Sequence, residues 1–172
     1  MITLGLLLCA CWGDLPEGWV AIKAANLGYV VSMPKPERKA FQDVGPDDKP
    51  VHISLYRGTV GKTSYIVSVS EFSKSYLSQP VKLIFDNARD GSLKRSGGTL
   101  VSEKDIKFNT IPGREIVVKA KEAGYVKARV YVYNLRQYSV MMAGEKESDL
   151  DTKEAQLFFD SFELKPLKRT IK

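Results

Sequence analysis

The sequence predicts an α+β domain in which an antiparallel sheet of six to eight strands carries two helices, at about 80–95 and 151–160. Three observations predict it. Apolar and polar residues alternate with period two in segment after segment, as half-buried strands require. In two stretches apolar residues recur instead at helical spacing. The links between segments are mostly short, roughly two to five residues, which favours antiparallel neighbours over crossover-joined parallel ones.

In chain order, Trp19–Ala24 and 28–33 read as a first strand pair joined through Ala25-Asn26-Leu27, and Pro34 and Pro36 break the run. Arg38–Val44 is a weaker strand ending at the turn cluster Gly45-Pro46-Asp47-Asp48. Over 51–56 the alternation is strict, with Val51, Ile53 and Leu55 on one face. Beyond the turn at 58–62, Tyr65, Val67 and Val69 share a face, with Ser64, Ser68 and Ser70 opposite. The period then changes. Pro80 suits a first helical position, where its missing N–H costs nothing, and Ser78 is placed to cap it. Val81, Ile84, Phe85 and Ala88 make the apolar stripe; Gly91 weakens the helix and Gly97-Gly98 ends it. Strands return at 100–108, 114–120, 125–133 and 137–143, two of them joined as a hairpin at Glu122-Ala123-Gly124. For the last helix, Asp151 and Glu154 are spaced as a capping pair, and Ala155, Phe158, Phe159 and Phe162 form the stripe that docks on the sheet.

The 172 residues, 44% of them apolar by type, suffice for one ordinary domain that needs no metal or disulfide staple. Seventeen aromatics argue against disorder. The expected plan is a leader over 1–13, a single domain over 14–164 and a basic tail over 165–172. The formal charge of +6 owes much to that tail, where Lys165, Lys168, Arg169 and Lys172 stand without an acid; the remainder carries only +2. No nucleic-acid partner is expected from so weak a basic footprint.

Residues 2–12 carry no charge and centre on Leu6-Leu7-Leu8. About twenty such residues are needed to span a bilayer. The shorter run has the length of the apolar region of an export signal, although the positive stretch that usually precedes one is missing; a buried first strand is the alternative. Leu8-Cys9-Ala10-Cys11 resembles a bacterial lipobox, with Cys9 departing from the usual pattern. That resemblance implies cleavage before Cys11 and a diacylglycerol on its thiol, tethering the domain to a membrane; cleavage after Gly13 would instead release a soluble exported protein. Both cysteines lie in this segment, so the folded part contains no disulfide, thiolate metal site or cysteine nucleophile.

Gly61-Lys62-Thr63 has the ending of a phosphate-binding loop, but Tyr56 stands where that loop needs glycine and a strand follows; a tight hairpin is expected. Arg114 and Glu115, as strand neighbours, point to opposite faces and cannot pair with each other; cross-strand ion pairs are expected, a ligand-binding arginine being the alternative. His52, the single histidine, lies on the polar face of its strand beside Ser54 and Tyr56. It could act as a general base with a carboxylate or serine across the sheet, in a small extracytoplasmic hydrolase or transferase. That is the alternative function.

The strand 125–133 carries the leading functional reading. Val126, Ala128, Val130 and Val132 make its expected core face, and Tyr125, Lys127, Arg129, Tyr131 and Tyr133 the face expected to meet water. His52 and Tyr56 would join that surface if their strand turns its polar side the same way. Tyrosine and arginine are frequent binding hot spots, and rings interleaved with cations suit a partner protein or an anionic envelope component. The competing reading is that the rings cover the sheet or lie under a helix. No cofactor, metal or catalytic residue is implied.

Val30-Val31-Ser32-Met33-Pro34, Ala88-Arg89-Asp90-Gly91, Leu100-Val101-Ser102-Glu103, Ile111-Pro112-Gly113-Arg114-Glu115 and Phe159-Asp160-Ser161-Phe162 resemble phrases of a family of exported or membrane-tethered bacterial domains of unknown function. The resemblance runs from about 19 to 164 and contains no catalytic signature. It further implies a fold similar to the PsbP-like sandwich, which serves non-catalytic accessory and assembly factors.

Overall fold

The computed structural model describes residues 15–44, 51–72, 79–122 and 124–166. The chain runs β1 (Trp19–Ala24), β2 (Tyr29–Pro34), β3 (Arg38–Val44), β4 (Val51–Val60), β5 (Thr63–Glu71), α1 (Val81–Ser96), β6 (Thr99–Phe108), β7 (Ile111–Ala120), β8 (Gly124–Tyr133), β9 (Arg136–Gly144), a 3₁₀ turn (Glu147–Asp151), α2 (Lys153–Asp160) and β10 (Glu163–Leu164). Seven strands form one antiparallel sheet in the order β3-β4-β5-β9-β8-β7-β6. The α+β class and the strand number match the sequence expectation. The first hairpin does not join that sheet: β1, β2 and β10 make a second, three-stranded one.

This second sheet decides where the core lies. Antiparallel partners share a face, and the register puts Tyr65, Val67 and Val69 of β5 on the same side as Met142, Val140 and Tyr138 of β9, and as Lys127, Arg129 and Tyr131 of β8. On that side Tyr29, Val31 and Met33 of β2 and Phe158, Phe159 and Phe162 from α2 and its exit bury the main core. On the opposite side α1 presses Phe85 onto Ile116, Val118 and Val130, a much smaller cluster. Each buried aliphatic or aromatic side chain contributes about 1.5–3 kcal/mol, so the side under the small sheet and α2 supplies most of the stability. The layers are small sheet with α2, large sheet, then α1.

Local rules explain the helix ends. Pro80 caps α1 from an extended conformation, one residue earlier than expected, and Ser78 lies outside the described residues. Gly97, at φ 56°, closes α1 in the left-handed region that glycine adopts without strain. In α2 the cap is Thr152, whose Oγ1 accepts from the Ala155 N–H at 3.2 Å; the Asp151–Glu154 pair expected for this role does not make it. Where β4 passes the end of β2, Gly58 faces Pro34, and a Cβ there would collide with the Pro34 carbonyl.

Candidate functional site

The polar strip of β8 is the seat of α2 and not a wet exterior. Tyr131 is 5% exposed; its ring stacks on Phe162 at 5.8 Å and meets Phe108 edge-on at 6.4 Å. Burial pushes its phenol pKa up. Arg129 donates through Nε to Glu115 at 2.8 Å and through Nη1 to Asp160 of α2 at 3.1 Å, with its guanidinium 4.9 Å from the Phe159 ring centre. Lys127 Nζ donates to Asp151 at 2.7 Å and to the Leu150 carbonyl at 3.2 Å. These long side chains bury their stems and bring their charges to α2-side acids. Burial works to raise the Glu115 carboxyl, but hydrogen bonds from Arg129 and Lys104 outweigh it and hold the group below its ordinary value. The expectation of a water-facing Tyr/Arg/Lys surface is therefore corrected: α2 and the small sheet close over it.

The rest of that expected surface is dispersed. Tyr125 and Tyr133 are half-buried against the main core. His52 and Tyr56 do lie on the same face, since His52 pairs with Glu71, Glu71 with Arg136 and Arg136 with Tyr133. The Glu71–Arg136 ion pair, at 2.9 Å, stands between His52 and β8, so face is shared but no patch forms. Tyr56 is half-buried beneath the Lys39 ammonium, 5.3 Å from its ring centre. His52 is exposed and lines neither the groove beside α1 nor the shallow cleft at Lys62 and Glu145. Cys11 lies outside the described residues.

Arg114 and Glu115 behave as strand neighbours should, each pairing across strands on its own face. Arg114, nearly buried, donates through Nη1 to Asp86 and Glu103, both at 2.7 Å, and through Nε to Asp105 at 3.1 Å. Its guanidinium also lies 5.3 Å from the Phe85 ring centre. Arg89 adds bonds to Glu103 and Asp86, and Lys82 another to Asp86. Hydrogen bonds from Lys82 and Arg114 hold the Asp86 carboxyl below its ordinary range. This cluster fastens the first half of α1 to β6 and β7, and it leaves Arg114 committed to structure.

The surface that sequence reasoning missed lies beside the second half of α1. There Ala88, Ser92 and Arg95 form one wall of a groove of about 220 Å³. Its floor is Val126, Ala128 and Met141, with Gln137 and Ser139 at the polar end. The supposed core face of β8 is thus only half covered, because one helix with two buried residues, Ile84 and Phe85, cannot roof it. The same face continues across Ile66 of β5 to Leu55 of β4, both half-buried. A signal was present in the serines: Ser64, Ser68, Ser70 and Ser139 share this side of the large sheet, as a half-wet face allows.

Among the described residues, no three His, Cys, Asp or Glu side chains converge in metal-binding geometry, and no helix is long and apolar enough to cross a membrane. No protein-family model and no curated protein matches the chain. Among solved structures, the chain is similar to cyanobacterial PsbP (CyanoP) from Synechocystis sp. PCC 6803, determined in solution. The TM-score is 0.58 and the identity 13%, over 91% of this chain and 98% of that one. The fold is PsbP-like, as the sequence resemblance implied; the likeness extends to the fold alone, and no residue role passes with it.

Proposed function

We propose that the chain is a non-catalytic extracytoplasmic domain that docks a partner protein on the α1 side of its large sheet. The observation carrying this reading is the groove beside α1, where half-buried aliphatic side chains lie open next to hydroxyls and amides. Partly uncovered apolar surface rimmed by polar groups marks interaction sites in soluble domains. An anionic envelope component is a poorer occupant for the β8 strip, because Glu115, Asp151 and Asp160 already neutralise Lys127 and Arg129. A hydrolase built on His52 would need walls that position a substrate and exclude water, whereas the histidine is exposed and lines neither cleft formed by the described residues. The extracytoplasmic address rests on the apolar run over 2–12 and on a body free of cysteine, with Cys11 as the anchor.

A photo-crosslinking residue placed at Met141 in the native cell tests the reading. The expected result is one discrete protein adduct that disappears when Ala128→Arg fills the groove. An identical adduct from a crosslinker at Tyr133, or none at Met141, contradicts it.

A further inference from the structure

Among the described residues, α1 is the one helix on its side of the large sheet, and it leaves room for another beside it. Seven strands at about 4.8 Å spacing span about 29 Å, whereas a helix with its side chains is about 10–12 Å across. α1 sits over β7 and β8. Four strands lie beyond it, β9, β5, β4 and the edge strand β3; the first three alone extend about 14 Å from β8, enough to seat a helix beside α1. Along this strip the register aligns Ala128, Met141, Ile66 and Arg57 in one row, and Val130, Ser139, Ser68 and Leu55 in the next. The apolar members are spaced to receive the side chains of an amphipathic helix laid in a groove.

Charge narrows the occupant. Arg95 on α1 and Arg57 on β4 border the strip from its two sides, and both are exposed. Arg57 donates to Ser64 Oγ at 3.0 Å, and neither arginine makes an ion pair among the described residues. The groove lining contains Arg95 and no carboxylate, and Glu37 at the sheet margin is bonded to Thr59. By contrast, Arg89, Arg114 and Lys82 on the other flank of α1 all have carboxylate partners.

Resting on the docking reading above, we infer that the occupant is an acidic amphipathic helix of a partner protein, its apolar face on Ala128, Met141 and Ile66 and its carboxylates on Arg95 and Arg57. Opposite charge at both borders fixes the helix laterally and disfavours a basic competitor.

The test uses two synthetic helices of about five turns with identical leucine faces, one flanked by Glu and one by Lys. Each is titrated into the protein while the methyl resonances of Ala128, Met141 and Ile66 are followed. The acidic helix is expected to shift those methyls and to bind at least tenfold more tightly than the basic one. The double variant Arg57→Glu/Arg95→Glu should reverse that order; both sites are exposed, and an unchanged melting curve confirms its fold. Equal affinity for the two helices, shifts confined to another face, or no shift with either overturns the inference. So does a concentration-dependent dimer that Met141→Arg abolishes, because the occupant would then be a second copy. If the Met141 crosslink forms but its adduct maps to a basic or non-helical segment, this inference falls while the docking reading stands; if no adduct forms, both fall.

Discussion

The rings of Tyr131 on β8 and Phe162 after α2 lie 5.8 Å apart with their planes inclined by 12°. This stack places a tyrosine of the polar strip under the C-terminal helix and leaves that side of β8 dry. Tyr131→Ala should therefore cost about 3–5 kcal/mol, the range for truncating a large buried aromatic. Denaturant unfolding measures it, and a loss under about 1 kcal/mol would mean that the ring is not packed.

Arg114 stands between the large sheet and α1 with three carboxylates on one guanidinium. Removing it leaves Asp86, Glu103 and Asp105 crowded without their shared cation. Because Arg89 stays bonded to Asp86 and Glu103 and Asp105 is exposed, Arg114→Ala should cost about 1–3 kcal/mol, and amide exchange should accelerate in α1 before it does in β5 or β9. Unchanged protection of α1 would show that Phe85 alone holds the helix.

Glu115 and Asp86 give the pH dependence its sign. Both carboxyls titrate lower in the folded chain than at their ordinary values of 4.5 and 3.8. Their contribution to stability is therefore complete above those ordinary values and is lost as pH falls through the lower, folded-state ones. Glu115→Gln, which removes one of the two, should cost about 1–3 kcal/mol at neutral pH and should flatten the acid limb of the stability profile. An acid limb as steep as that of the unaltered protein would contradict this assignment.

Tyr29 is 1% exposed and its hydroxyl has no hydrogen-bond partner among the described residues. Tyr29→Phe should leave stability unchanged or raise it by up to about 1 kcal/mol. A clear loss would reveal a partner for that oxygen.

Much of the fold was legible because strand and helix periods are local properties. The alternation in Val51 to Leu55 and the stripe of Ala155, Phe158 and Phe159 each follow from neighbours a few residues apart. The side of the sheet was not legible in that way. Tyr131 and Arg129 look like surface residues in isolation, yet the hairpin over 19–34 leaves the large sheet and roofs them together with α2. Val126 and Ala128 look like core, yet among the described residues their side receives only the narrow stripe of α1. Coverage depends on where distant segments pack, and alternation within one strand carries no information about that.

Docking beside α1 requires that the aliphatic side of β8 and β9 be the accessible one. Paramagnetic broadening of side-chain methyls by a soluble, uncharged relaxation agent measures this directly. The methyls of Val126, Ile66 and Met141 should broaden strongly while those of Val117, Val140 and Met142 stay sharp. The reverse pattern, with Val117 and Val140 broadened and Met141 protected, would contradict it.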